Sequence, residues 1–247
     1  LTCTGDSSVR ARGDLDCTGQ NIEGCIHATH DGGAPIMSGM DTTIVRMYRG
    51  SRVHGLATAR SDVDTFTITC GDRALYLTAD GVIEHWRDGD DNIFYDLRKF
   101  CRMVASGDIS AVEALFTPSV CLIESSDRWD HLIARRDHAL TPAFAASLRR
   151  SAIGQAKAAI ARSNPKQMSH ALRASQMLRS LMADGIMWVT VPDELRPLHM
   201  EIRSGAVPMA EAEAVVLEEL DAAGFGNSKL SEGDINHWNR LPVDLIG

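Results

Sequence analysis

No run of about 18 consecutive apolar residues occurs anywhere in this 247-residue chain, and no basic segment followed by an apolar one stands near its amino end. A membrane span and a secretory signal are therefore not expected, and a cytoplasmic location is. An excess of basic residues is also missing. Lysine and arginine number 25 against 33 aspartates and glutamates, a formal net charge of −8, which argues against strong global attraction to nucleic acid and leaves room only for a local basic patch. Aromatic residues make up 5% of the chain, and no aromatic-rich basic stripe announces RNA binding. None of the six cysteines forms a C-x-x-C pair. They read as reduced thiols, with Cys70, Cys101 and Cys121 as small buried apolar residues. Cys17, Cys25, His27 and His30 do not fit the usual zinc-ligand spacings. There is no P-loop, no internal repeat and no low-complexity tract.

What is present is an ordinary hydrophobic content of 44%, enough to bury a core. Residues 1–40 are rich in Gly, Asp, Thr and Ser without apolar period and end in Gly32-Gly33-Ala34-Pro35, so a disordered N-terminal extension is expected there. From Thr43 to Tyr48 a β-branched run predicts a first strand, and Val63 to Cys70 alternates apolar and polar side chains as a second. Residues 74–79 and 82–87, joined at Asp80-Gly81, predict a hairpin, and Asn92–Tyr95 a further short strand. The period then changes. Asp96 suits the N-cap of a helix whose apolar face is Leu97, Phe100, Cys101, Val104 and Ala105, stopped by Gly107. A short helix from Ala111 to Phe116 follows, started by Ser110. Two long helices over 142–162 and 165–184 are divided by Asn164-Pro165, and a last one runs from Met209 to Ala223. Strands followed by helices imply an α+β fold: a sheet domain over 41–122, a helical domain over 123–230, and a tail over 231–247 of uncertain structure.

The most informative stretch is Tyr48 to Asp64. Asp62 and Asp64 are two residues apart on what is expected to be the next strand, so their carboxylates point the same way. Two like charges that close are costly unless a cation lies between them, and a hard oxygen-loving ion such as Mg²⁺ is the natural occupant. Gly50-Ser51 stands upstream at the end of the first strand, where a glycine lets the backbone approach a phosphate and the serine can donate a hydrogen bond to it. Arg52 can add charge-assisted hydrogen bonds. Later, Lys166, His170 and Arg173 recur at i, i+4 and i+7 along one helical face. Each has a plain alternative: a D-x-D pair at a strand entrance, a serine in a turn, a solvated basic face.

Taken together, Gly50-Ser51 followed by Asp62-x-Asp64 resembles the signature of the DNA polymerase β-type nucleotidyltransferase superfamily. Asp91 to Phe100, Val112-Glu113-Ala114-Leu115-Phe116-x-Pro118 and Lys166-x-x-x-His170-x-x-Arg173 are similar to its RNA-repair-associated branch, in order, over roughly residues 43–220. The resemblance implies two-metal transfer of a nucleoside monophosphate from a nucleoside triphosphate to a hydroxyl acceptor, on RNA or another nucleic-acid end, with Mg²⁺ or alternatively Mn²⁺. It implies Asp62, Asp64 and a third carboxylate as metal ligands and catalytic residues. Alignment to the Tyr95-to-Phe100 landmark selects Asp91, with Asp90 and Asp96 as rivals; Asp96 also reads as a helix cap, and Asp90 would point the other way on a strand. Gly50, Ser51, Arg52, Lys166, His170 and Arg173 are the implied phosphate-binding set. Arg49 departs from the pattern, which has an aromatic residue there. The competing readings are an inactive nucleotide-binding or antitoxin-like module and a phosphohydrolase; the intact acidic set argues against decay of the site. Acceptor, base preference and oligomeric state are not readable.

Overall fold

The computed structural model describes residues 42–71, 73, 75–77, 83–89, 91–224, 230 and 235–246. The expectations for residues 1–40, for Asp90 and for the Asp80-Gly81 turn lie outside these. A five-stranded mixed sheet is ordered β3-β4-β2-β1-β5, followed by helices, which is the α+β arrangement expected. At its centre lies β2 (Thr65–Cys70), every residue of which is buried. Its neighbours are β1 (Thr42–Tyr48), antiparallel, and β4 (Asn92–Asp96), parallel. β3 (His85–Asp88) pairs with β4 and β5 (Leu122–Ser125) with β1, both antiparallel.

Two details differ from the sequence expectation. The second strand starts at Thr65, so Asp62 and Asp64 occupy the lead-in to it. Residues 75–77 form a 3₁₀ turn instead of the first arm of a hairpin. The cause is Tyr76, whose oxygen accepts from the Gly71 N–H at 3.0 Å and whose O–H donates to Asp96 at 2.5 Å, pinning the segment against the end of β4.

The helices follow their caps. α1 (Leu97–Ala105) is capped by Asp96 and buries the five residues its period picks out. α2 (Ile109–Leu115) begins earlier than Ser110 suggested, because the Asp108 carboxylate accepts from the Ala111 N–H at 3.0 Å. A short α3 (Asp127–Ile133) precedes the long hairpin of α4 (Pro142–Arg162) and α5 (Pro165–Asp184), each with a capping side chain and proline in its first turn. α6 (Arg196–Ser204) and α7 (Met209–Ala222) pack on α5, and α8 (Ile235–Ile246) packs on α1.

One continuous apolar cluster runs from Ile44 and Phe66 in the sheet through Phe100 and Trp129 to Leu148, Leu172 and Trp238 in the helices. Among the described residues no helix is long and apolar enough to cross a membrane. Cys70 and Cys101 are buried thiols, as expected, and burial pushes the Cys101 thiol up. Cys121 is also buried but disulfide-bonded, which corrects the expectation of a reduced thiol there.

Candidate active site

The chain leaves β1 at Tyr48 and turns sharply. The Arg49 N–H donates to the Asp64 carbonyl at 3.0 Å, which holds the lead-in of β2 beside the end of β1. Gly50 follows with φ +65°, and a Cβ placed on it would stand 2.7 Å from the Asp64 Oδ2. Glycine is needed there twice over, for its left-handed backbone and for the carboxylate lying against it. The loop then closes on itself, His54 N–H to the Gly50 carbonyl at 3.1 Å and Leu56 N–H to the Ser51 carbonyl at 2.9 Å.

A distant segment clamps this loop from outside. The Thr190 hydroxyl donates to the Val53 carbonyl at 2.8 Å, and the Val191 N–H to the His54 carbonyl at 3.1 Å. His54 itself is buried, with Nδ1 3.2 Å from the Val189 carbonyl. A carbonyl can only accept, so Nδ1 carries the proton. Burial first, then the Arg173 charge, holds this imidazole well below its usual range, so it is neutral at physiological pH. His54 anchors the loop through its ring and its backbone.

The carboxylates gather at one end of the sheet. β2 and β4 are parallel with Thr65 opposite Asn92, and the residues preceding that pair are Asp64 and Asp91. The Thr65 N–H donates to the Asp91 carbonyl at 2.9 Å, fixing this register. Asp64 has its carboxyl pushed up, by burial foremost and then by the negative charges of Asp91 and Asp62, while Arg49 and Lys166 oppose the shift. Asp64 therefore feels the charge of both other predicted carboxylates. Asp96 does not belong with them: it is 1% exposed and is occupied by Tyr76 and by the N–H of Arg98.

Among the described residues, no three His, Cys, Asp or Glu side chains converge closely enough to hold an ion by themselves. The donors at hand, the carboxylates of Asp62, Asp64 and Asp91 and the hydroxyl of Ser51, are all hard oxygens, the set that suits Mg²⁺ or Mn²⁺ and not zinc. Burial and the nearby negative charges raise Asp64, and a divalent cation would offset both. In donor chemistry the residues fit such an ion.

In front of Asp62 and Asp64 opens a pocket of 260 Å³, lined also by Gly50, Ser51, Lys166, His170 and Arg203. Four cations, Arg49, Arg60, Lys166 and Arg203, line it against the two carboxylates. The predicted row along α5 is divided by the fold. Lys166 and His170 face this pocket, whereas Arg173 lines a neighbouring one of 530 Å³, which shares Arg49, Gly50 and His170 with the first. There Arg173 is ion-paired to Glu113 of α2 at 2.5 Å, with both side chains largely buried. His170 is neutral too, its pKa lowered to about 4 by burial and then by Arg173, Arg203 and Lys166. Arg52 lies over the Tyr48 ring, 5.9 Å from its centroid, and does not line the pocket.

Arg60 and Arg203 were not anticipated from the sequence. Arg203 carries no motif; it reaches the site because α6 ends at Gly205, where a Cβ would be 3.6 Å from the Pro165 ring that starts α5. Arg49 had stood out only as a departure from the expected pattern, and here it lines the pocket while its charge opposes the upward shift of Asp64.

Comparison with known proteins gives one match. The sequence model of a family described as "RNA repair pathway DNA polymerase beta family" matches residues 34–220. No curated protein and no solved structure matches the chain.

Proposed function

The chain belongs to the RNA repair pathway DNA polymerase beta family, and from that premise we propose that it is a Mg²⁺-dependent nucleotidyltransferase moving a nucleoside monophosphate from a nucleoside triphosphate to a hydroxyl on RNA or another nucleic-acid end. The observation that carries this reading is the meeting, in one pocket, of the Asp62–Asp64 pair and four cations, with Asp64 seated against Gly50. Asp62, Asp64 and Asp91 would hold the divalent ions, Mg²⁺ or Mn²⁺. Such ions lower the pKa of an attacking hydroxyl and neutralise charge on the transferring and leaving phosphates.

The remaining work falls to the chain's own groups. Gly50 lets the backbone of the loop come within reach of a phosphate, and Ser51 donates its hydroxyl to a phosphate oxygen. Lys166 supplies a compact positive charge, and the neutral His170 supplies a hydrogen bond without adding another charge beside Arg203. Arg173, through Glu113, braces α5 against α2, so that Lys166 and His170 are held at a fixed distance from the loop.

The test is incubation of the full chain with each labelled nucleoside triphosphate, Mg²⁺ or Mn²⁺, and RNA, DNA or the protein itself as acceptor. Labelled acceptor that disappears with Asp64→Asn supports transfer. Triphosphate binding without turnover would instead favour a nucleotide-binding module, the reading to which the incomplete convergence of three acidic side chains gives some weight.

A further inference from the structure

Among the described residues lining the pocket, Arg203 holds a buried polar side-chain atom left without a partner. It sits in the last turn of α6, half-buried, and lines the same cavity as Ser51, Asp62, Asp64 and Lys166. Its Nη1 is shut off from solvent and has no hydrogen-bond partner among the described residues. No ion pair within 4.0 Å engages it there either, in contrast to Arg98, Arg102, Arg173, Arg179 and Arg196, each of which has a carboxylate partner. Burial alone lowers its pKa, with no acidic neighbour offsetting the cost.

A buried guanidinium nitrogen without a partner costs free energy in the free protein, and more so for a charged group than for a neutral one. Such a cost persists where a ligand settles it. The ligand has to be an anion that presents several oxygens, because a planar fork of N–H donors matches phosphate geometry. The acids of this pocket do not take that role: among the described residues no ion pair joins Asp62 or Asp64 to Arg203. The approach of α6 to the start of α5 brings Arg203 beside Lys166 and His170, so the cations converge from two helices that are separate in sequence.

We infer that Arg203 is a polyphosphate-binding residue, donating its fork to the terminal phosphates of the triphosphate and thereby favouring a triphosphate over a monophosphate in this pocket. The inference rests on the nucleotidyl-transfer reading and adds to it a residue and a basis for selectivity. Loss of the fork removes one or two charge-assisted hydrogen bonds, which corresponds to roughly a tenfold to hundredfold weaker affinity.

The test uses the full chain with Mg²⁺ and measures calorimetric binding of inorganic tripolyphosphate, of a nucleoside triphosphate and of the matching monophosphate, in the wild type, Arg203→Gln and Arg203→Lys. Expected for Arg203→Gln is a loss of about tenfold or more for tripolyphosphate and triphosphate, little change for the monophosphate, and partial recovery in Arg203→Lys. The unliganded variant should melt no lower than the wild type, because no protein partner is lost. A clear fall in melting temperature with unchanged tripolyphosphate affinity would overturn the inference and make Arg203 a structural residue. Wild-type protein that binds neither tripolyphosphate nor any triphosphate would overturn the nucleotidyl-transfer reading as well, whereas intact triphosphate binding in Arg203→Gln would overturn only the role given to Arg203.

Discussion

Substituting Gly50 by alanine separates a chemical role from a structural one. The backbone there has φ +65°, and an added Cβ would approach the Asp64 Oδ2 to 2.7 Å. Left-handed backbone costs an alanine roughly 1–2 kcal/mol. Relieving the contact takes a displacement of only about half an ångström, and the group that moves is the end of a side chain, so it adds little to the loss of stability. For catalysis the same displacement matters more, since a shift on the order of 1 Å at a reacting group costs about a hundredfold and half of it about tenfold. Gly50→Ala should therefore lower unfolding free energy by about 1–2 kcal/mol in urea, yet reduce transfer of labelled nucleotide by about tenfold or more. Gly107→Ala supplies the contrast, because its Cβ would meet backbone atoms, the Phe144 N at 2.6 Å and the Ala143 carbonyl carbon at 2.7 Å, at φ +72°. That variant should lose more stability than Gly50→Ala, and whatever fraction stays folded should keep its activity. Full turnover in Gly50→Ala, or equal loss of activity per folded molecule in both variants, would refute the reasoning.

Further predictions concern the acids, the histidines and the brace. Asp91→Asn should abolish most turnover and leave the melting temperature within a few degrees, while Asp96→Ala, which removes the acceptor for Tyr76 and the cap of α1, should cost about 1–3 kcal/mol in denaturant titration and spare activity in the folded fraction. His199, fully buried between the Ser169 hydroxyl and the Gln176 side chain, is held down to about 4 by burial foremost and then by Arg173 and His170. A histidine kept neutral in the native state takes up its proton more readily when unfolded, so its contribution is full above pH 6.5 and drains away as pH falls toward 4, by at most on the order of 3 kcal/mol. Urea titrations at pH 7.5 and 4.5 should show a smaller acid loss for His199→Gln than for the wild type; an unchanged loss would remove His199 from the account. For the buried Arg173–Glu113 pair, Glu113→Leu alone should cost about 3–5 kcal/mol, and Glu113→Leu with Arg173→Met much less, as a double-mutant cycle would report.

What could be read in advance was local. The 3.6-residue period of Leu97, Phe100, Cys101, Val104 and Ala105, the Asp96 cap and the Asn164-Pro165 break depend on neighbours within a turn or two, and all three stand in the structure. The fully buried β2 was legible as a strand, though its apolar–polar alternation does not show that its threonines are buried as well. The short β5 was not legible, since its four residues gain strand structure only by pairing with the edge of β1, far away in sequence. The 3₁₀ turn at 75–77 likewise depends on a hydroxyl reaching Asp96 across twenty residues. In the candidate site, Gly50, Ser51, Asp62 and Asp64 lie within fifteen residues of one another and come together as their spacing suggests. Arg203 joins them only through the packing of α6 against α5, and Arg173 leaves the row because Glu113 of α2 claims it. A helical row on paper does not reveal which of its members already has a partner.

The central claim is transfer of nucleotide at the Asp62–Asp64 edge of the sheet. Its most direct measurement is a single-turnover reaction with labelled nucleoside triphosphate, Mg²⁺ and an RNA acceptor, run side by side with wild type and Asp64→Asn after confirming equal folding. The account predicts labelled acceptor and released pyrophosphate in equal amounts from the wild type, and a loss of several orders of magnitude in the variant. Equal transfer by both proteins, or triphosphate bound by the wild type with no label passed to RNA, DNA or the protein itself, would contradict it.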